Sequence, residues 1–569
     1  MDKRRNVIMI AAILAGILVL VLIGVAIYKY VAPSNTKKEL SSVYELKENE
    51  IALIVDNAIL EEKGQKINGQ FYVPAAVAMQ YMDERIFVDS KEKSLSYATE
   101  QGILVAAPDK QEYLLGKDDK KAEIPILSEQ NGSLYVSLDF IQTVASCSYK
   151  EYKDPDRIVV LSDRNKEYLF ATTAEDIRVR TGPNKKYDYL TEVPEGVRVI
   201  VNEDVKQENE YQSVSTLDGI TGYIPTDSIE KTEKSKWKFE KTPVSFEQEK
   251  LGKTVCLGWH QVTTSAGSGT LPASADWSSK MNVLSPTWFA LSDNKGNFTS
   301  IANTGYVAQA HDKGFQVWGL INDFDKKIKL NKILGRTSVR TKLVNSLVAA
   351  AIQYDLDGIN IDFENVKKNS ASAYLQFLRE LTVKCHANDL IVSVDNYTPA
   401  SYNAYYNLEE QGRIVDYVIL MAYDEYYAGG GESGPVSSLT FVENGVEGMV
   451  RRVPKERVVV ALPFFSRLWK ETEKKSGEVS ATSPGAYGMS GAESLVRAND
   501  AVAKWEDATG LYFAQWRSGG ATYKIWLEDE ASLEKKLGIA TAQKVAGVAF
   551  WKLGFERAIT WSTIDAAIK

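Results

Sequence analysis

The sequence predicts a multidomain chain that begins with a transmembrane helix and ends in a (β/α)8 TIM barrel. Three observations predict this fold class. An unbroken apolar run lies near the amino terminus, short alternating strands separated by glycine and proline turns follow it, and apolar runs then alternate with helical patterns over residues 251–569. A length of 569 residues is enough for three or four domains.

Composition and charge exclude several classes of protein. The chain is 44% hydrophobic and 25% charged, which is ordinary for a globular protein. Its net charge of −8 is small for this length and gives no electrostatic argument for binding nucleic acid. The three cysteines cannot form a disulfide framework, and the three histidines lie in no metal-ligand spacing. We therefore expect no metal, no cofactor and no nucleic-acid partner.

The apolar run extends from Val7 to Tyr28. As a helix it would be about 33 Å long, enough to cross a hydrocarbon layer of about 30 Å. Lys3, Arg4 and Arg5 precede it, so the positive-inside rule predicts a cytoplasmic amino terminus and an exported remainder. A cleaved signal peptide is the alternative, although its apolar region usually has only about 7–15 residues. We predict an uncleaved, single-pass anchor in the cell membrane, with the bulk of the chain extracellular.

The remaining boundaries follow from changes in pattern along the chain. The predicted segments are a cytoplasmic tail (1–6), the anchor (7–28), a linker (29–48), a duplicated α+β module (49–165), a small β-barrel (172–230), a second linker (231–250) and the TIM barrel (251–569). In the duplicated module, Asn68–Pro74 is similar to Asn131–Ser137, and each copy continues into a helix-like stretch and then strands. An Asn-Gly pair followed by alternating apolar residues indicates a hairpin.

Two resemblances concern these smaller segments. Residues 49–165 resemble the duplicated domain named after the amino terminus of copper amine oxidases, which in exported bacterial proteins carries no copper chemistry. No histidine lies in residues 46–165, so copper is not supported here either. Residues 172–230, with Ile177–Pro183 and Thr221–Ile224, resemble the bacterial SH3 domain. The resemblances imply cell-wall binding, and a spacer role is the alternative for both segments.

The C-terminal segment contains the number of buried strands that a closed barrel needs. A doubly wound open sheet is the alternative, but no glycine-rich phosphate loop supports it. The long interval between Leu468 and Gln543 predicts an inserted hairpin. The predicted strands are Thr254–Trp259, Val283–Phe289, Gln316–Ile321, Gly358–Phe363, Leu390–Val394, Tyr417–Ala422, Val458–Leu462 and Gly547–Trp551.

The stretch Asp357–Glu364 carries the strongest functional pattern. Because alternate side chains of a strand point the same way, Asn360, Asp362 and Glu364 form one polar row. Such a row is costly to bury unless it is hydrogen-bonded or functional, and barrel enzymes place catalysis at the carboxyl ends of their strands. Neighbouring carboxylates raise the pKa of one member, which favours a protonated acid near neutral pH. A satisfied polar cluster without catalysis is the alternative.

This stretch resembles the signature D-G-x-D-x-D-x-E of glycoside hydrolase family 18, with matches at Asp357, Gly358, Asp362 and Glu364. It departs at Asn360, where the signature has aspartate. With asparagine at this position, the stretch resembles the spore-cortex N-acetylglucosaminidase branch of that family. The resemblance implies that Glu364 is the general acid and that Asp362 orients the substrate's own acetamido group, which is the nucleophile. It also implies that Asn360 hydrogen-bonds Asp362.

Further matches to the family occur at other strand ends. Met421–Asp424 resembles the motif M-x-Y-D, which implies that Tyr423 donates to the acetamido oxygen and that Asp424 binds sugar hydroxyls. Met421 shares the face of Tyr423. Trp551 resembles the tryptophan that floors the sugar site, since apolar sugar faces stack on indole. Weaker candidates at strand ends are Trp288, Trp259 and Arg467.

We therefore expect a membrane-anchored glycoside hydrolase that cleaves β-linked N-acetylglucosamine polymers with retention of configuration. Peptidoglycan is favoured, because the anchor and the accessory modules would hold the enzyme beside the cell wall. Chitin-like polymers are the alternative substrate. A non-catalytic, lectin-like barrel is a second class of function, which the presence of Glu364 disfavours and Asn360 keeps open. A structural envelope protein made of spacer modules is the third.

Overall fold

The structure is a computed structural model that describes residues 2–145, 147–239, 244–473 and 479–568. The chain forms two compact units. The first consists of Met1–Glu84, Pro108–Gln111 and Glu123–Pro243, and the second of Arg85–Ala107, Glu112–Ala122 and Val244–Lys569.

A long helix, Asp2–Val31, opens the chain. Its section Lys3–Val25 is strongly apolar after three basic residues, and none of it is buried. Its length and composition suit a membrane span, and a signal sequence near the amino terminus would share both properties. The apolar amino-terminal helix expected from the sequence is therefore present.

The first sheet of the first unit places the two copies of the repeat side by side. Gln70–Pro74 pairs antiparallel with Ser133–Ser137, and Val73 lies opposite Val136. Asn68 and Asn131 both have a φ of 51°, and a glycine with positive φ follows each, as a two-residue hairpin turn requires. In spatial order the strands are Leu127–Gln130, Ser133–Ser137, Gln70–Pro74, Gly64–Ile67, Glu50–Val55, Arg157–Leu161 and Ser148–Tyr152, and Ala58–Ile59 pairs with Glu50–Val55. The accompanying helical turns are Leu40–Val43, Ala75–Val77, Ala78–Met82 and Leu138–Val144.

The second sheet of this unit is antiparallel throughout. Its core side chains alternate along the strands, and Val179, Val199, Val214 and Ile224 are fully buried. In spatial order the strands are Tyr189–Val193, Ile177–Arg180, Thr221–Pro225, Tyr211–Thr216, Arg198–Val201, Glu167–Thr173 and Ile229–Lys236, with a 3₁₀ turn at Thr226–Ser228. The resemblance of these residues to the bacterial SH3 domain stays a prediction.

The second unit contains a five-stranded meander besides the barrel. Its strands are Ile86–Asp89, Ser94–Thr99, Gly102–Ala106, Glu112–Leu115 and Asp118–Lys121. The structure thus divides the segment 49–165, which the sequence treats as one module, between two units. The meander packs on the barrel helix Ala371–His386 and bonds to the amino-terminal end of the helix Thr337–Tyr354. There the buried guanidinium of Arg340 lies 4.5 Å from the ring centre of Phe87, and the Thr337 backbone N–H donates to Asp89 at 2.8 Å.

The barrel itself is closed and parallel, as the sequence predicts. Each strand pairs with the next, and β8 pairs with β1. All eight apolar runs form strands, which are β1 Val255–His260, β2 Val283–Pro286, β3 Gln316–Asn322, β4 Gly358–Asp362, β5 Ile391–Tyr397, β6 Tyr417–Met421, β7 Val458–Pro463 and β8 Gly547–Trp551.

Helices surround the barrel and bury its outer face. Asn303, Ser438 and Asp529 cap their helices by accepting a hydrogen bond from a first-turn backbone N–H. The α-helices are Thr304–Asp312, Leu330–Ile333, Thr337–Tyr354, Ala371–His386, Leu408–Ile414, Leu439–Val450, Glu530–Gln543 and Ala558–Ala567. Short 3₁₀ turns lie at Gly267–Gly269, Ala273–Asp276, Lys368–Ser370, Ser401–Tyr406 and Lys455–Arg457. The barrel interior is filled by Leu257, Trp259, Trp318, Leu320, Ile419, Val459, Ala461 and Ala549.

Two insertions interrupt the alternation of strand and helix. A small hairpin, Phe289–Leu291 with Phe298–Ser300, follows β2. A larger insertion follows β7 and consists of strands Phe465–Glu473, Val479–Gly488, Lys504–Glu506, Leu511–Ser518 and Ala521–Leu527 and the helix Met489–Ala498. The hairpin expected from the sequence is the pair Leu511–Ser518 and Ala521–Leu527, and it turns through two glycines with positive φ.

Candidate active site

The carboxyl ends of the barrel strands open into a cleft of about 480 Å³. This is the end at which TIM-barrel enzymes bind substrate. Its lining residues are Trp259, Gln261, Val262, Thr263, Thr287, Leu320, Asn322, Phe324, Asp362, Glu364, Asp395, Met421, Tyr423, Asp424 and Trp551. Most of the site residues expected from the sequence therefore lie around one space.

Strand β4 supplies the polar row. Asn360 is fully buried, Asp362 is 6% exposed, and Glu364 lies two residues past the strand and is half-buried. Asp362 and Glu364 line the cleft, whereas Asn360 lies one step deeper in the barrel. The alternation of side chains along β4 thus brings the two carboxyl groups to the same opening.

Four hydrogen bonds hold Asn360, and all of them cross to other strands. Its Oδ1 accepts from Trp259 Nε1 at 2.9 Å and Ser285 Oγ at 3.2 Å, and its Nδ2 donates to Ser393 Oγ at 3.0 Å and Asp395 Oδ1 at 2.9 Å. These four bonds use both donors and both lone pairs of the amide. The expected hydrogen bond from Asn360 to Asp362 is therefore absent among the described residues, because residues of β1, β2 and β5 already bond to every donor and acceptor of the Asn360 amide.

Asp362 is a buried carboxyl group with an unused oxygen. Within the described parts of the chain, its Oδ1 has no hydrogen-bond partner. Burial raises the pKa of Asp362 well above its ordinary value, and the charges of Asp395 and Glu364 add to the shift. Burial likewise raises the pKa of Asp395 well above its usual range, although the bond from Asn360 opposes this. The pair therefore holds a proton more readily than free aspartates do, and Asp362 can engage an N–H or oxygen of a ligand.

Glu364 is held by its neighbours on two sides. The Tyr397 hydroxyl donates to Glu364 Oε2. The backbone N–H of Glu364 donates to Asp323 Oδ1 at 3.0 Å. Burial raises the pKa of Glu364; the bond from Tyr397 opposes this shift, while Asp323 and Asp424 reinforce it. Glu364 therefore keeps its proton to a higher pH than a free glutamate.

Asp323 lies just past β3 and is 1% exposed. Besides Glu364, it accepts from the Asn365 backbone N–H at 3.1 Å and from Asn365 Nδ2 at 3.1 Å. Burial raises its pKa, against the effect of these hydrogen bonds. Asp323 thus fixes the backbone on which Glu364 sits. In the sequence its signal is a polar pair, Asn322-Asp323, directly after a buried strand.

Strand β6 brings Met421, Tyr423 and Asp424 to the cleft. Burial raises the pKa of Tyr423 well above its ordinary value, and the charges of Asp395 and Asp362 add to this effect. Tyr423 is therefore a neutral phenol that can donate a hydrogen bond at all physiological pH values. Asp424 has a left-handed φ of 56° and accepts from Arg467 Nη2 at 2.9 Å, which places a guanidinium at the rim.

The tryptophans expected at the site separate into two groups. Trp551 is half-buried, lines the cleft and meets Trp259 edge-on at 6.0 Å between ring centres. Trp288 is instead 2% exposed, does not line the cleft and packs against Tyr306 at 5.1 Å. Strand β2 ends at Pro286, so its alternation no longer sets the direction of Trp288. The ring of Trp288 therefore lies in the core, and its expected contact with sugar has no support from its position.

Other functional neighbours had only weak signals in the sequence. Asp395 and Tyr397 belong to a polar and aromatic group at the end of β5, and both meet residues of the β4 row. Phe324 lines the cleft with 51% of its surface exposed. Among the described residues, no cluster of three or more histidine, cysteine, aspartate or glutamate side chains is arranged to hold a metal ion.

Comparison with known proteins agrees with this geometry. The family model of glycosyl hydrolases family 18 matches residues 254–556, more than half of the chain. The chain belongs to this family. It is therefore a glycosidase.

The family relatives are distant. The match to the uncharacterized glycosylase YvbX of Bacillus subtilis is 23% identical over 303 residues, 51% of this chain and 85% of the relative. The match to the cortical fragment-lytic enzyme of Bacillus subtilis is 26% identical and covers 40% of this chain and 54% of the relative. The chain thus spans about half the length of that enzyme.

The solved structures that are similar to this chain also have low sequence identity to it. The spore cortex-lytic enzyme SleL of Bacillus cereus has a TM-score of 0.49 and 18% identity, over 56% of this chain and 74% of that chain. A chitinase of Chromobacterium violaceum has a TM-score of 0.48 and 19% identity, over 55% of this chain and 98% of that chain.

Proposed function

We propose that this family 18 glycosidase cleaves β-linked N-acetylglucosamine polymers by a substrate-assisted mechanism that retains configuration. The observation that carries the proposal is the set of side chains around one cleft. A buried Asp362 with a free oxygen, a proton-holding Glu364 and a neutral Tyr423 all line it. These are the groups that cyclisation of an acetamido sugar needs.

In the first step Glu364 is the general acid. Its buried carboxyl group donates a proton to the glycosidic oxygen while the substrate's acetamido oxygen attacks the anomeric carbon. The bond between that carbon and the leaving oxygen breaks in the same step. In the second step Glu364 accepts a proton from water as the water opens the cyclic intermediate. Two displacements on one carbon restore the original configuration.

Asp362 and Tyr423 would act on the acetamido group. The free Oδ1 of Asp362 can accept the acetamido N–H, and the Tyr423 hydroxyl can donate to the acetamido oxygen. Both contacts would favour the conformation in which that oxygen reaches the anomeric carbon. Asn360 would support the row from below, since its four bonds fix Asp395 and Trp259.

The sugar itself would lie on Trp551. An indole matches the apolar face of a pyranose ring, and Trp551 is braced by Trp259. Met421 would fill the space beside the ring, and Asp424, oriented by Arg467, would accept hydrogen bonds from sugar hydroxyls.

Peptidoglycan is the favoured substrate, with chitin-like polymers as the alternative. Support comes from relatives named cortical fragment-lytic enzymes, although a chitinase-like effector of Moniliophthora perniciosa is also similar. Asp2–Val31 would anchor the chain in the cell membrane with its amino terminus in the cytoplasm. Residues 49–165 and 172–230, as amine-oxidase-like and SH3-like modules, would bind the wall.

Replacement of the acid tests the proposal. Full-length protein and its Glu364→Gln variant are incubated with purified peptidoglycan and with N-acetylglucosamine oligomers, and products are identified by mass spectrometry. We expect new reducing ends at N-acetylglucosamine, and a loss of about 10²- to 10⁴-fold in rate for Glu364→Gln. Glu409→Gln, a change of an exposed glutamate, serves as the control with unchanged rate. Equal rates for Glu364→Gln and the wild type would refute the assignment.

A further inference from the structure

Glu364, the proposed acid, contacts a tyrosine that the mechanism above does not use. Tyr397 is the last residue of β5, and its hydroxyl donates to Oε2 of Glu364. The strand register explains the meeting, because Ile361 of β4 pairs with Val394 of β5, and Glu364 and Tyr397 each lie three residues further along. The contact is therefore built into the sheet of the barrel.

The contact leaves the two oxygens of Glu364 in different surroundings. Oε2 accepts from Tyr397, whereas no hydrogen bond within the described ranges engages Oε1. The backbone of Glu364 is fixed separately, since its N–H donates to Asp323 and its carbonyl accepts from Tyr406 Oη at 3.3 Å. With the main chain held in this way, the side-chain torsions of Glu364, including the rotation of its carboxyl group, remain to be fixed, and the bond from Tyr397 restricts them.

We propose that Tyr397 is a positioning residue for the acid, which holds Oε2 so that Oε1 carries the proton delivered to the leaving group. The inference rests on the proposed role of Glu364. In the protonated acid the phenol would bond the carbonyl-type oxygen and leave the hydroxyl-type oxygen for transfer. In the ionised form the same phenol would stabilise the carboxylate while it takes a proton from water. One neutral donor therefore serves both steps.

The phenol keeps its proton throughout this cycle. Burial raises the pKa of Tyr397 well above its ordinary value, and the charge of Glu364 adds to the shift. Its bond lowers the pKa of Glu364 against the upward effect of burial. The other titratable groups that face this pair are Asp323, Asp362, Asp395, Tyr406, Tyr423 and Asp424.

The test is the pH dependence of the full-length Tyr397→Phe variant on peptidoglycan and on a soluble N-acetylglucosamine hexamer. Loss of the hydroxyl raises the pKa of Glu364, so we expect the basic limb of the pH–rate profile to move to higher pH. We also expect kcat near neutral pH to fall on the order of tenfold, as for the loss of one hydrogen bond to a charged group, with KM little changed.

Two control variants remove a hydroxyl from the same region without touching the Glu364 side chain. Tyr402→Phe changes a residue that is 75% exposed, and Tyr405→Phe removes a bond to the Val366 carbonyl. Both should keep the wild-type profile. A Tyr397→Phe profile with lower amplitude but an unmoved limb would indicate a merely structural role and overturn the inference.

The outcomes separate this inference from the proposed function. If Glu364→Gln is inactive and Tyr397→Phe keeps the wild-type profile, the acid stands and the positioning role fails. If Glu364→Gln is as active as the wild type, or if the wild type cleaves neither substrate, the acid assignment fails and this inference fails with it.

Discussion

Asp323 acts on Glu364, the proposed acid, through the Glu364 backbone and through its own charge. Its two oxygens accept the backbone N–H groups of Glu364 and Asn365, and its buried charge raises the pKa of Glu364. It is therefore the counterpart of Tyr397, whose bond lowers that pKa. Burial is the largest cause of the raised pKa of Glu364, and these two neighbours change it in opposite directions.

The Asp323→Asn variant tests this balance. Loss of the negative charge lowers the pKa of Glu364, so the basic limb of the pH–rate profile should move to lower pH, opposite to the shift expected for Tyr397→Phe. The new amide N–H₂ would also face a backbone N–H, which should reduce the free energy of unfolding by about 1–3 kcal/mol. Asp325→Asn, at an exposed position of the same loop, is the matched control. A basic limb that moves upward would contradict the electrostatic role.

Side-chain alternation is the part of the site that a sequence can reveal. It was sufficient to place Asp362 with Glu364, and Met421 with Tyr423, around one opening. It could not reveal the partners of Asn360, because those hydrogen bonds cross from β4 to β1, β2 and β5. Past the end of a strand, alternation alone does not fix the orientation: Glu364 and Tyr423 lie two residues past their strands and line the cleft, whereas Trp288, two residues past β2, lies in the core.

At the scale of elements, the meander Ile86–Lys121 and the helix Thr337–Tyr354 share a buried charge. Arg340 is fully buried, and its Nε donates to Glu380 at 2.9 Å while its Nη1 donates to the Leu334 carbonyl at 2.7 Å. The ring of Phe87, from the meander, covers the guanidinium. A buried charge is tolerated only while its partners remain in place.

Removal of one partner should therefore be costly. Arg340→Met leaves the Glu380 carboxylate buried without its cation, and we expect the free energy of unfolding to fall by about 3–5 kcal/mol in denaturant titrations. Replacing both residues, Arg340→Met with Glu380→Leu, should recover much of this loss. Arg451→Met breaks an exposed i,i+4 pair with Glu447 and should cost only about 0.3–0.5 kcal/mol. If Arg340→Met were no more costly than Arg451→Met, the buried pair would not stabilise this contact.

The same elements show that the compact unit to which a strand belongs depends on residues far away in the sequence. The repeat correctly indicated similar turns at Asn68 and Asn131, since a turn depends on neighbouring residues. Which unit the strands after each copy join depends on distant residues instead. Ser94, for example, donates a hydrogen bond to Thr337, 243 positions away. A local sequence pattern cannot identify a partner so far away in the chain.

At the scale of the whole molecule, the proposed membrane anchoring depends on the amino-terminal helix. No residue of Lys3–Val25 is buried within the described structure, and its apolar side chains have large exposed fractions. We expect such a surface either to span a membrane as an anchor or to be removed with a signal sequence. As an anchor it would confine the enzyme to the wall and raise its effective concentration at peptidoglycan.

Replacing residues 1–31 with a cleavable signal peptide tests the anchor. The resulting protein should leave the membrane fraction and keep the wild-type kcat/KM on soluble oligomers, because the cleft lies far along the chain in the barrel. Its cleavage of the wall in intact cells should fall by about 10²-fold, the loss expected when one attachment is removed. A control in which a leucine run of equal length replaces Val7–Tyr28 should restore membrane retention and wall cleavage together. Intact-mass measurement of the native protein decides the alternative: a mature chain that begins after the helix would show that the helix is a cleaved leader, and wall targeting would then depend on residues 49–230 alone.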